Sequence, residues 1–589
     1  MSNITETSIL DQVHGPDDVK KLTIPEMKQA AQEIRELILF KDSQHGGHIG
    51  PNLGVVELTL AFHYVFDSPT DKIVWDVSHQ SYPHKILTGR KSGFEDPAHF
   101  NDITGYTSQH ESEHDFFTVG HTSTSISLAV GLAKARDLKN ETGNVLALIG
   151  DGSMSGGLAF EGLNNGAELN SNLIVIFNDN EMSIDENFGG LYGTLAELRA
   201  SNGTSENNLF KALGFDYRYI EEGNDLQTMI DTFQDVKDID HPIVLHVHTE
   251  KGHGFEKAVT NKMLYHWRTP FDLKTGEAII QESGENYSDL IIDQLTKKIE
   301  TEQLPIVTIN AAIPGMFGLK RFQAAYPDRY FDVGIAEGHS ITFASALASA
   351  GIRPVVFHSS TFLQRAYDQL SHDLAINDTP AVIIVRGGSI SGGAVTHQGL
   401  YDIPLLSSIP NIVYLAPATQ EQLEAMLDWA LTQKDHPVAI RIPEHGVNHS
   451  TPISHDYSKP HYEVSHSGST VAILALGGFF QLGQKVHEKL AAEGINATLI
   501  NPQFITGYDQ TTLESLKANH QLVLTLEDGS LSGGFGEKIA HYYGDSSIKV
   551  KSFGAAKEFT DEVPQAVLYE RYGLSTENIV RATLDLLKK

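Results

Sequence analysis

Short, wholly apolar segments of strand length alternate with helix-compatible stretches along most of this chain. The stretches 123–138 and 156–168 have the composition of helices. Strands that are apolar on both faces belong to parallel sheets covered by helices on both sides. The pattern therefore predicts an α/β fold. In the first part of the sequence the strand-length segments are residues 73–75, 145–149, 173–177 and 243–245.

The same alternation starts again near residue 306 and near residue 470. A length of 589 residues accommodates three or four domains of roughly 100–200 residues each. The polar stretch between about 250 and 285 is interpreted as a crossover linker at the end of the first domain. We expect three α/β domains, each with a mostly parallel sheet covered by helices, at residues 1–284, 285–455 and 456–589.

The composition excludes several classes of function. The chain has 43 basic and 75 acidic residues, a formal net charge of −32, so it repels nucleic acid and anionic membrane surfaces. It contains no cysteine, which excludes thiol nucleophiles and cysteine-ligated metal centres. No apolar run approaches the roughly 20 residues of a membrane span, and residues 1–12 lack a signal-peptide core. We expect a cytoplasmic protein that binds neither nucleic acid nor membrane.

Polar residues follow two of the predicted strands where those strands end. Gly150-Asp151-Gly152-Ser153 follows one strand, and Asn178-Asp179-Asn180 follows the next. Carboxyl ends of neighbouring parallel strands meet at one edge of a sheet, so we expect Asp151 and Asn180 to lie close together. Carboxylate and amide oxygens suit Mg²⁺, and glycines let backbone N–H groups approach a phosphate. A Gly-Asp-Gly turn alone has the simpler interpretation of an ordinary turn.

The whole strand–turn–helix–strand arrangement is similar to the signature of thiamine diphosphate (ThDP) enzymes. The resemblance implies that Mg²⁺ is held by Asp151, Asn180 and the carbonyl of Met182. It also implies that a glutamate activates the cofactor's aminopyrimidine. Glu337 in Asp332-Val-Gly-Ile-Ala-Glu337 is the candidate, since burial favours a protonated carboxyl. The alternative is an exposed glutamate at a helix start.

The order of these motifs, with the diphosphate motif first and the glutamate second, resembles that of transketolases. Further segments are similar to the 1-deoxy-D-xylulose-5-phosphate synthase family, and the match covers nearly the whole chain. That resemblance implies three domains of transketolase type and a homodimer that depends on ThDP and Mg²⁺. It implies condensation of pyruvate with an aldehyde acceptor, glyceraldehyde 3-phosphate, with release of CO₂. The segments are 75–85, 120–127, 326–332, 360–368 and 396–399.

The same resemblance assigns roles to individual residues. The implied catalytic residues are Glu337, His48, His79, His266 and His397. The implied cofactor contacts are His79, Gly120, His121, Thr122, Gly152, Ser153, Asn180, Phe255, Glu337 and Phe362. The implied substrate contacts are Arg365, Arg386 and His397.

Several positions depart from the family pattern, mostly in the half of the site that would take the acceptor. Glu444 stands where the family has a phosphate-binding arginine, and Gly393 stands where it has an aspartate. Ser359, Phe255 and residues 313–316 also differ. Three alternatives to the standard reaction remain open on the sequence: a changed acceptor, a transketolase, and a paralogue without activity. A further alternative is that His445 or a lysine replaces the missing arginine and the standard reaction survives.

Overall fold

The structure is a computed structural model that describes residues 8–280, 284–444, 446–451 and 456–588. The chain forms two compact units, Met1–Ser283 and Gly284–Lys589. No helix in these described ranges has the length and apolar character needed to cross a membrane.

The first unit is built on one five-stranded sheet in the order β1-β2-β3-β5-β4, with every pair parallel. Its strands are β1 (Lys72–Trp75), β2 (Val145–Gly150), β3 (Leu173–Asp179), β4 (Asp216–Ile220) and β5 (Pro242–His248). Its helices are α1 (Pro16–Val19), α2 (Ile24–His45), α3 (Gly50–Leu53), α4 (Val56–Val65), α5 (Tyr82–Lys85), α6 (Ser92–Glu95), α7 (Ser125–Lys139), α8 (Gly157–Gly166), α9 (Gly190–Ala200), α10 (Leu209–Leu213), α11 (Leu226–Val236) and α12 (Glu256–Thr260).

The second unit contains two sheets. One has six parallel strands in the order β10-β11-β9-β8-β6-β7; the other has five in the order β12-β14-β13-β15-β16, of which only the β12–β14 pair is antiparallel. The strands are β6 (Ile306–Asn310), β7 (Tyr330–Asp332), β8 (Arg353–Ser359), β9 (Val382–Arg386), β10 (Val413–Leu415), β11 (Val438–Arg441), β12 (Glu463–His466), β13 (Thr470–Ala475), β14 (Thr498–Asn501), β15 (His520–Ser530) and β16 (Lys549–Ala555). The helices are α13 (Tyr287–Glu302), α14 (Leu319–Ala325), α15 (Glu337–Ser349), α16 (Ser360–Leu363), α17 (Asp402–Ser407), α18 (Gln420–Thr432), α19 (Phe480–Ala492), α20 (Gln510–Leu516), α21 (Phe535–Tyr542), α22 (Gln565–Arg571) and α23 (Thr576–Leu587).

Burial explains why the strands are apolar throughout. All seven residues of β3 are buried. Ile174 and Ile176 pack into one hydrophobic cluster, whereas Val175 and Phe177 pack into another. Because successive side chains of a strand point to opposite faces, both faces of this sheet are covered. The predicted α/β fold with mostly parallel sheets is confirmed.

The stretch predicted to be a crossover linker is built into the first unit. Tyr265 and Phe271 are buried in its core, and Gly47 forms an antiparallel bridge with Arg268. Arg268 stacks over both aromatic rings, with its guanidinium carbon 4.7 and 4.8 Å from the ring centres. Such cation–π packing offsets the cost of burying the charge. The polar composition that indicated a linker therefore belongs to a segment that packs into the core of the first unit.

Candidate active site

The two loops predicted to hold the metal follow neighbouring parallel strands. β2 ends at Gly150 and β3 ends at Asp179, so Asp151 and Asn180 are each the first residue after a strand. The N–H of Asp151 donates to the carbonyl of Asn178 at 3.1 Å, which ties the loops together. A Cβ on Gly152 would lie 2.7 Å from Oγ of Ser183. Glycine is therefore required for the two loops to pack this closely.

The donor atoms at this edge of the sheet fit a hard cation. Oδ1 of Asn180 is buried and has no hydrogen-bond partner among the described residues. Burial and the nearby charge of Asp179 raise the pKa of Asp151 to about 7, and Asn187 donates to its Oδ2 at 2.6 Å. Buried oxygens without a full set of partners are costly unless a ligand supplies them. Carboxylate and amide oxygens are the donors that Mg²⁺ takes.

Asp179, the middle residue of Asn178-Asp179-Asn180, has a different role. Its buried carboxylate accepts from Arg199 at 2.6 Å and lies 2.8 Å from Nε2 of His246. Although burial opposes ionisation, these two partners lower its pKa. Asp179 thus links the end of β3 to α9 and β5.

The loop with Gly120, His121 and Thr122 is anchored by a carboxylate that the sequence analysis missed. Asp76 is buried and accepts the backbone N–H groups of Ser123, Thr124 and Ser125 at 2.8–3.0 Å. These groups lie at the start of α7, where unpaired N–H groups favour an anion. The hydroxyl of Ser123 donates to the carbonyl of Ser153 at 2.8 Å. The predicted cofactor contacts 120–122 and 152–153 are therefore brought together. The sequence signal for the role of Asp76 is an acidic residue directly after β1.

Three histidines from distant parts of the sequence form a cluster in the first unit. The ring centres of His48 and His79 are 5.2 Å apart, those of His79 and His266 are 5.2 Å apart, and those of His48 and His266 are 5.8 Å apart. Burial, together with the charges of Lys251 and the other two rings, lowers the pKa of His266 well below its usual value. His266 therefore stays neutral near pH 7.

Two buried residues that the sequence analysis did not single out support this cluster. Nδ2 of Asn52 donates to the carbonyls of His48 and His79 at 2.6 and 2.7 Å. Nζ of Lys251 donates to the carbonyl of Ser183 at 2.5 Å and lies 3.1 Å from Nδ1 of His266. Burial lowers the pKa of Lys251 to about 7. Both contacts join segments that are far apart in sequence, so no local pattern reveals them.

Replacing Asn52 with Ala is expected to destabilise the first unit. The change removes both donated hydrogen bonds and the one that Oδ1 accepts from the N–H of Tyr82 at 2.8 Å. Leaving such buried groups unpaired costs about 2–4 kcal/mol of unfolding free energy. Urea unfolding measures the loss, and Asn165→Ala on the exposed face of α8 is the control. A change of under about 0.5 kcal/mol would contradict this role.

Phe255 lies at the start of α12, and its ring centre is 5.5 Å from that of Tyr265. It packs against the same core as the neighbouring elements. Its contact with the cofactor stays a prediction.

Glu337 is the first residue of α15 and is only 5% exposed. Burial raises the pKa of its carboxyl, and Nη1 of Arg365, 3.9 Å from Oε2, opposes that rise. The alternative of an exposed carboxylate at a helix start is therefore wrong. Burial instead favours the protonated form that activation of an aminopyrimidine needs. Its role remains a prediction.

The first turn of α15 is connected to a buried histidine by hydrogen bonds through Ser340. Oγ of Ser340 donates to the carbonyl of Glu337 at 2.6 Å and lies 2.7 Å from Nε2 of His358. Burial lowers the pKa of His358 to about 4. The neutral imidazole thus supports the backbone that carries Glu337.

Because the pKa of His358 is lowered, the free energy of unfolding is expected to depend on pH. Between its usual pKa of 6.5 and about 4, the unfolded chain takes up a proton that the folded chain does not. Stability is therefore full above pH 6.5 and falls as the pH drops toward 4, by on the order of 3 kcal/mol from this group. His358→Gln keeps a partner for Ser340 and is expected to reduce this fall. Urea unfolding at several pH values measures it, and an unchanged fall would refute the assignment.

Phe362 and His397 lie together in the second unit. Their ring centres are 5.7 Å apart at an interplanar angle of 83°. Burial lowers the pKa of His397 to about 4, and its Nδ1 lies 2.9 Å from Oγ1 of Thr396. His397 is therefore neutral at ordinary pH.

Three of the departures from the family pattern meet at Arg386 and Gly387. Oε1 of Glu444 accepts the N–H of Gly387 at 2.5 Å, and its Oε2 lies 3.9 Å from Nε of Arg386. Nη1 of Arg386 also donates to the carbonyl of Met316, within the altered segment 313–316. A Cβ on Gly387 would lie 3.4 Å from Oγ of Ser359. The local positive charge of Arg386 is thus partly balanced by Glu444. His445 lies outside the described residues.

Arg441, the other arginine nearby, is buried, and its guanidinium is already hydrogen-bonded within the protein. Its guanidinium donates to Asp402 at 2.7 Å and to the carbonyl of Asp528 at 2.6 Å. It therefore does not replace the missing phosphate-binding arginine. A Cβ on Gly393 would meet nothing closer than Oγ of Ser391 at 3.8 Å. The loop thus has room for a Cβ at position 393.

Known proteins match nearly the whole chain. The family model described as 1-deoxy-D-xylulose-5-phosphate synthase matches residues 10–207 and 201–249. The pyrimidine-binding domain of transketolase matches residues 289–448, and the C-terminal transketolase domain matches residues 461–579. The transketolase-type α/β fold is therefore confirmed. Members of these families depend on ThDP and Mg²⁺.

Curated relatives agree with the family models. The 1-deoxy-D-xylulose-5-phosphate synthase 1 of Geobacter metallireducens is 38% identical, over 99% of this chain and 100% of that protein. The 1-deoxy-D-xylulose-5-phosphate synthase of Pelotomaculum thermopropionicum is 39% identical, over 98% of this chain and 97% of that protein. The chain therefore belongs to the 1-deoxy-D-xylulose-5-phosphate synthase family, a group of transferases in the transketolase superfamily.

Proposed function

We propose that this protein condenses pyruvate with glyceraldehyde 3-phosphate to give 1-deoxy-D-xylulose 5-phosphate and CO₂. The observation that carries the proposal is the full-length similarity to synthases of that name, at 38–39% identity. The candidate metal ligands and the buried glutamate are all present in the chain. The relatives favour neither a transketolase nor a paralogue with another acceptor.

The first unit supplies the proposed anchor for the cofactor. Asp151, Asn180 and the carbonyl of Met182 would hold Mg²⁺. The loops 120–122 and 152–153 would offer backbone N–H groups to the diphosphate, as the start of a helix does. When bound, ThDP supplies the electron sink that allows pyruvate to lose CO₂.

The proposed proton chemistry is divided among Glu337 and four histidines. Burial favours the protonated form of Glu337, which would donate a hydrogen bond to the aminopyrimidine and exchange a proton with it. Phe362 would pack against that ring. His266 and His397, whose pKa values are lowered, would move protons at substrate oxygens. His48 and His79 would share this task.

The substrates would be held by cationic groups of the second unit. Arg365 and Arg386 are the proposed contacts for the substrate carboxylate or phosphate, which suits a planar guanidinium. Glu444 beside Arg386 would weaken the hold on a phosphate, because it offers a competing negative charge.

Glu444→Gln is expected to lower KM for glyceraldehyde 3-phosphate by about three- to tenfold. The amide oxygen still accepts the N–H of Gly387, while the charge beside Arg386 is removed. Unphosphorylated glyceraldehyde is the control, and its KM is expected to change less than about twofold. An equal change for both aldehydes would show that Glu444 does not act on the phosphate.

We also propose the three-domain division at 1–284, 285–455 and 456–589, a homodimer, and a cytoplasmic location. The separate sheets in the second unit and the two transketolase-domain matches there support the second and third domains. Residues 452–455, next to the last boundary, lie outside the described residues. The homodimer rests on the family resemblance, and the cytoplasmic location on the composition.

CO₂ release from pyruvate in the presence of ThDP and Mg²⁺ tests the reaction. It is measured without acceptor, with glyceraldehyde 3-phosphate, and with glyceraldehyde. Strong stimulation by the phosphorylated aldehyde supports the proposed synthase. Release that is indifferent to the phosphate would instead support a changed acceptor, and the absence of release would contradict the proposal.

A further inference from the structure

The second unit contains a cleft that no step of the proposed reaction uses. Two adjoining cavities of about 530 and about 470 Å³ share Ser407, Tyr508 and Lys538 in their walls. We call them together the Lys538 cleft. One wall is formed by the end of α17 and the start of β10; the other is formed by residues 504–508 and α21. Their size is that of pockets that take small organic ligands.

The most unusual group in this cleft is the amine of Lys538. Its Nζ is buried and has no hydrogen-bond partner among the residues that the structure describes. Burial lowers its pKa to about 8, and the charge of Glu527 partly offsets that effect. The carboxylate of Glu527 accepts the N–H groups of Phe535 and Gly536, both at 2.7 Å. An amine buried in this way is unfavourable unless an anion accompanies it.

A second polar group on the opposite wall is also unpartnered. Oγ of Ser407, the last residue of α17, is buried without a hydrogen-bond partner in the described part of the chain. Ser407 and Lys538 line both cavities, so the two residues whose donor atoms lack a partner border the same space. This pair of donors is suited to an anionic headgroup.

The rest of the cleft is suited to an apolar body. The acidic residue that lines the cleft, Glu537, accepts the N–H of Gly533 at 2.6 Å. Tyr508 donates its hydroxyl to the carbonyl of Lys538 at 3.3 Å, which leaves its ring as a wall. A pocket with an apolar lining and a few convergent donors binds organic anions. The apolar lining consists of Ile409, Pro410, Ile412, Val413, Pro460 and Phe504.

We propose that the Lys538 cleft binds a small organic anion, with a phosphate or carboxylate headgroup at Lys538 and Ser407 and an apolar body along Ile409 and Phe504. This would be a second ligand site, separate from the residues assigned to cofactor and substrates. α17 begins at Asp402, which holds Arg441, and it follows the loop that carries His397. The ligand would therefore contact the helix that continues from an active-site loop.

Titration calorimetry on the full chain loaded with ThDP and Mg²⁺ tests the proposal. The probes are phenyl phosphate, benzoate and uncharged benzyl alcohol. One or both anions are expected to bind at least about tenfold more tightly than the alcohol, because a charged hydrogen bond is worth that much. Which anion binds better identifies the headgroup. If neither anion binds, or the alcohol binds equally well, the proposal is wrong.

Substitutions of the cleft residues test where the anion binds. Lys538→Met is expected to weaken anion binding about tenfold or more, whereas Lys485→Met on the exposed face of α19 leaves it unchanged. Ser407→Ala on the opposite wall is expected to weaken binding severalfold, and it serves if Lys538→Met does not fold. CO₂ release from pyruvate by each variant shows that the active site is intact. Anion binding that survives both cleft variants would place the anion elsewhere and overturn the inference.

Discussion

Glu337→Gln is expected to lower the rate of CO₂ release from pyruvate by about 10²–10⁴-fold, the usual contribution of a positioned acid or base. Glutamine has nearly the same shape, so it fits the buried position, but it cannot exchange a proton. Burial raises the pKa of Glu337 and keeps its carboxyl protonated more readily than a surface carboxyl. The initial rate at saturating ThDP and Mg²⁺ measures the effect.

Cofactor binding distinguishes a chemical role for Glu337 from a structural one. In Glu337→Gln the affinity for ThDP is expected to stay within about threefold, because the diphosphate and metal contacts belong to other residues. Glu570→Gln on the exposed part of α22 is the matched control. Activity that stays within tenfold of the unmodified protein, or a loss that follows loss of ThDP, would contradict the assignment.

Asp151→Asn is expected to weaken the joint binding of ThDP and Mg²⁺ by about 100-fold or more. Altering even an outer partner of a metal typically costs 10–100-fold, and Asp151 is a proposed direct ligand. The substitution removes the negative charge but retains an oxygen donor. Excess Mg²⁺ should therefore restore part of the binding, and chelation with EDTA should abolish it in both proteins.

Quenching of tryptophan fluorescence by ThDP at several Mg²⁺ concentrations measures this binding. Asp235→Asn, at an exposed ion pair with Arg218, is the control. An Asp151→Asn protein that binds ThDP normally at low Mg²⁺ would remove Asp151 from the metal site. Equal weakening in the control variant would indicate a general effect of charge.

The sequence predicts the sheets well because their strands are buried on both faces, and continuous apolar runs are a local signal. β3 is an example, since every residue from Leu173 to Asp179 is buried. β12 was not predicted, because residues 463–466 lie at a sheet edge and are largely exposed. Edge strands lack the apolar signature that burial imposes.

The sequence predicts site residues that belong to a contiguous motif. It does not predict supporting residues whose partners are distant in the sequence. Asp151 and Asn180 follow strands in a recognisable arrangement. Asn52, by contrast, acts through carbonyls of His48 and His79, and Lys251 acts through Ser183. The amide of Asn52 and the amine of Lys251 have no local sequence pattern, because their partners are brought close only by the fold.

The effect of Glu444 also depends on the fold. The sequence indicates a negative charge in place of a phosphate-binding arginine. The structure adds that this carboxylate is engaged by the N–H of Gly387 and lies beside Arg386. A charge that is partly satisfied in this way repels a phosphate less than an isolated one does. We therefore expect the standard acceptor to be compatible with Glu444.

Product identification tests the central claim most directly. The protein, ThDP and Mg²⁺ are incubated with [2,3-¹³C₂]pyruvate and glyceraldehyde 3-phosphate, and the products are followed by ¹³C NMR. We predict that the label appears as adjacent methyl and ketone carbons of 1-deoxy-D-xylulose 5-phosphate, and that Glu337→Gln forms almost none. Label that stays in pyruvate, or that enters another product while the phosphorylated aldehyde is untouched, would contradict the assigned reaction.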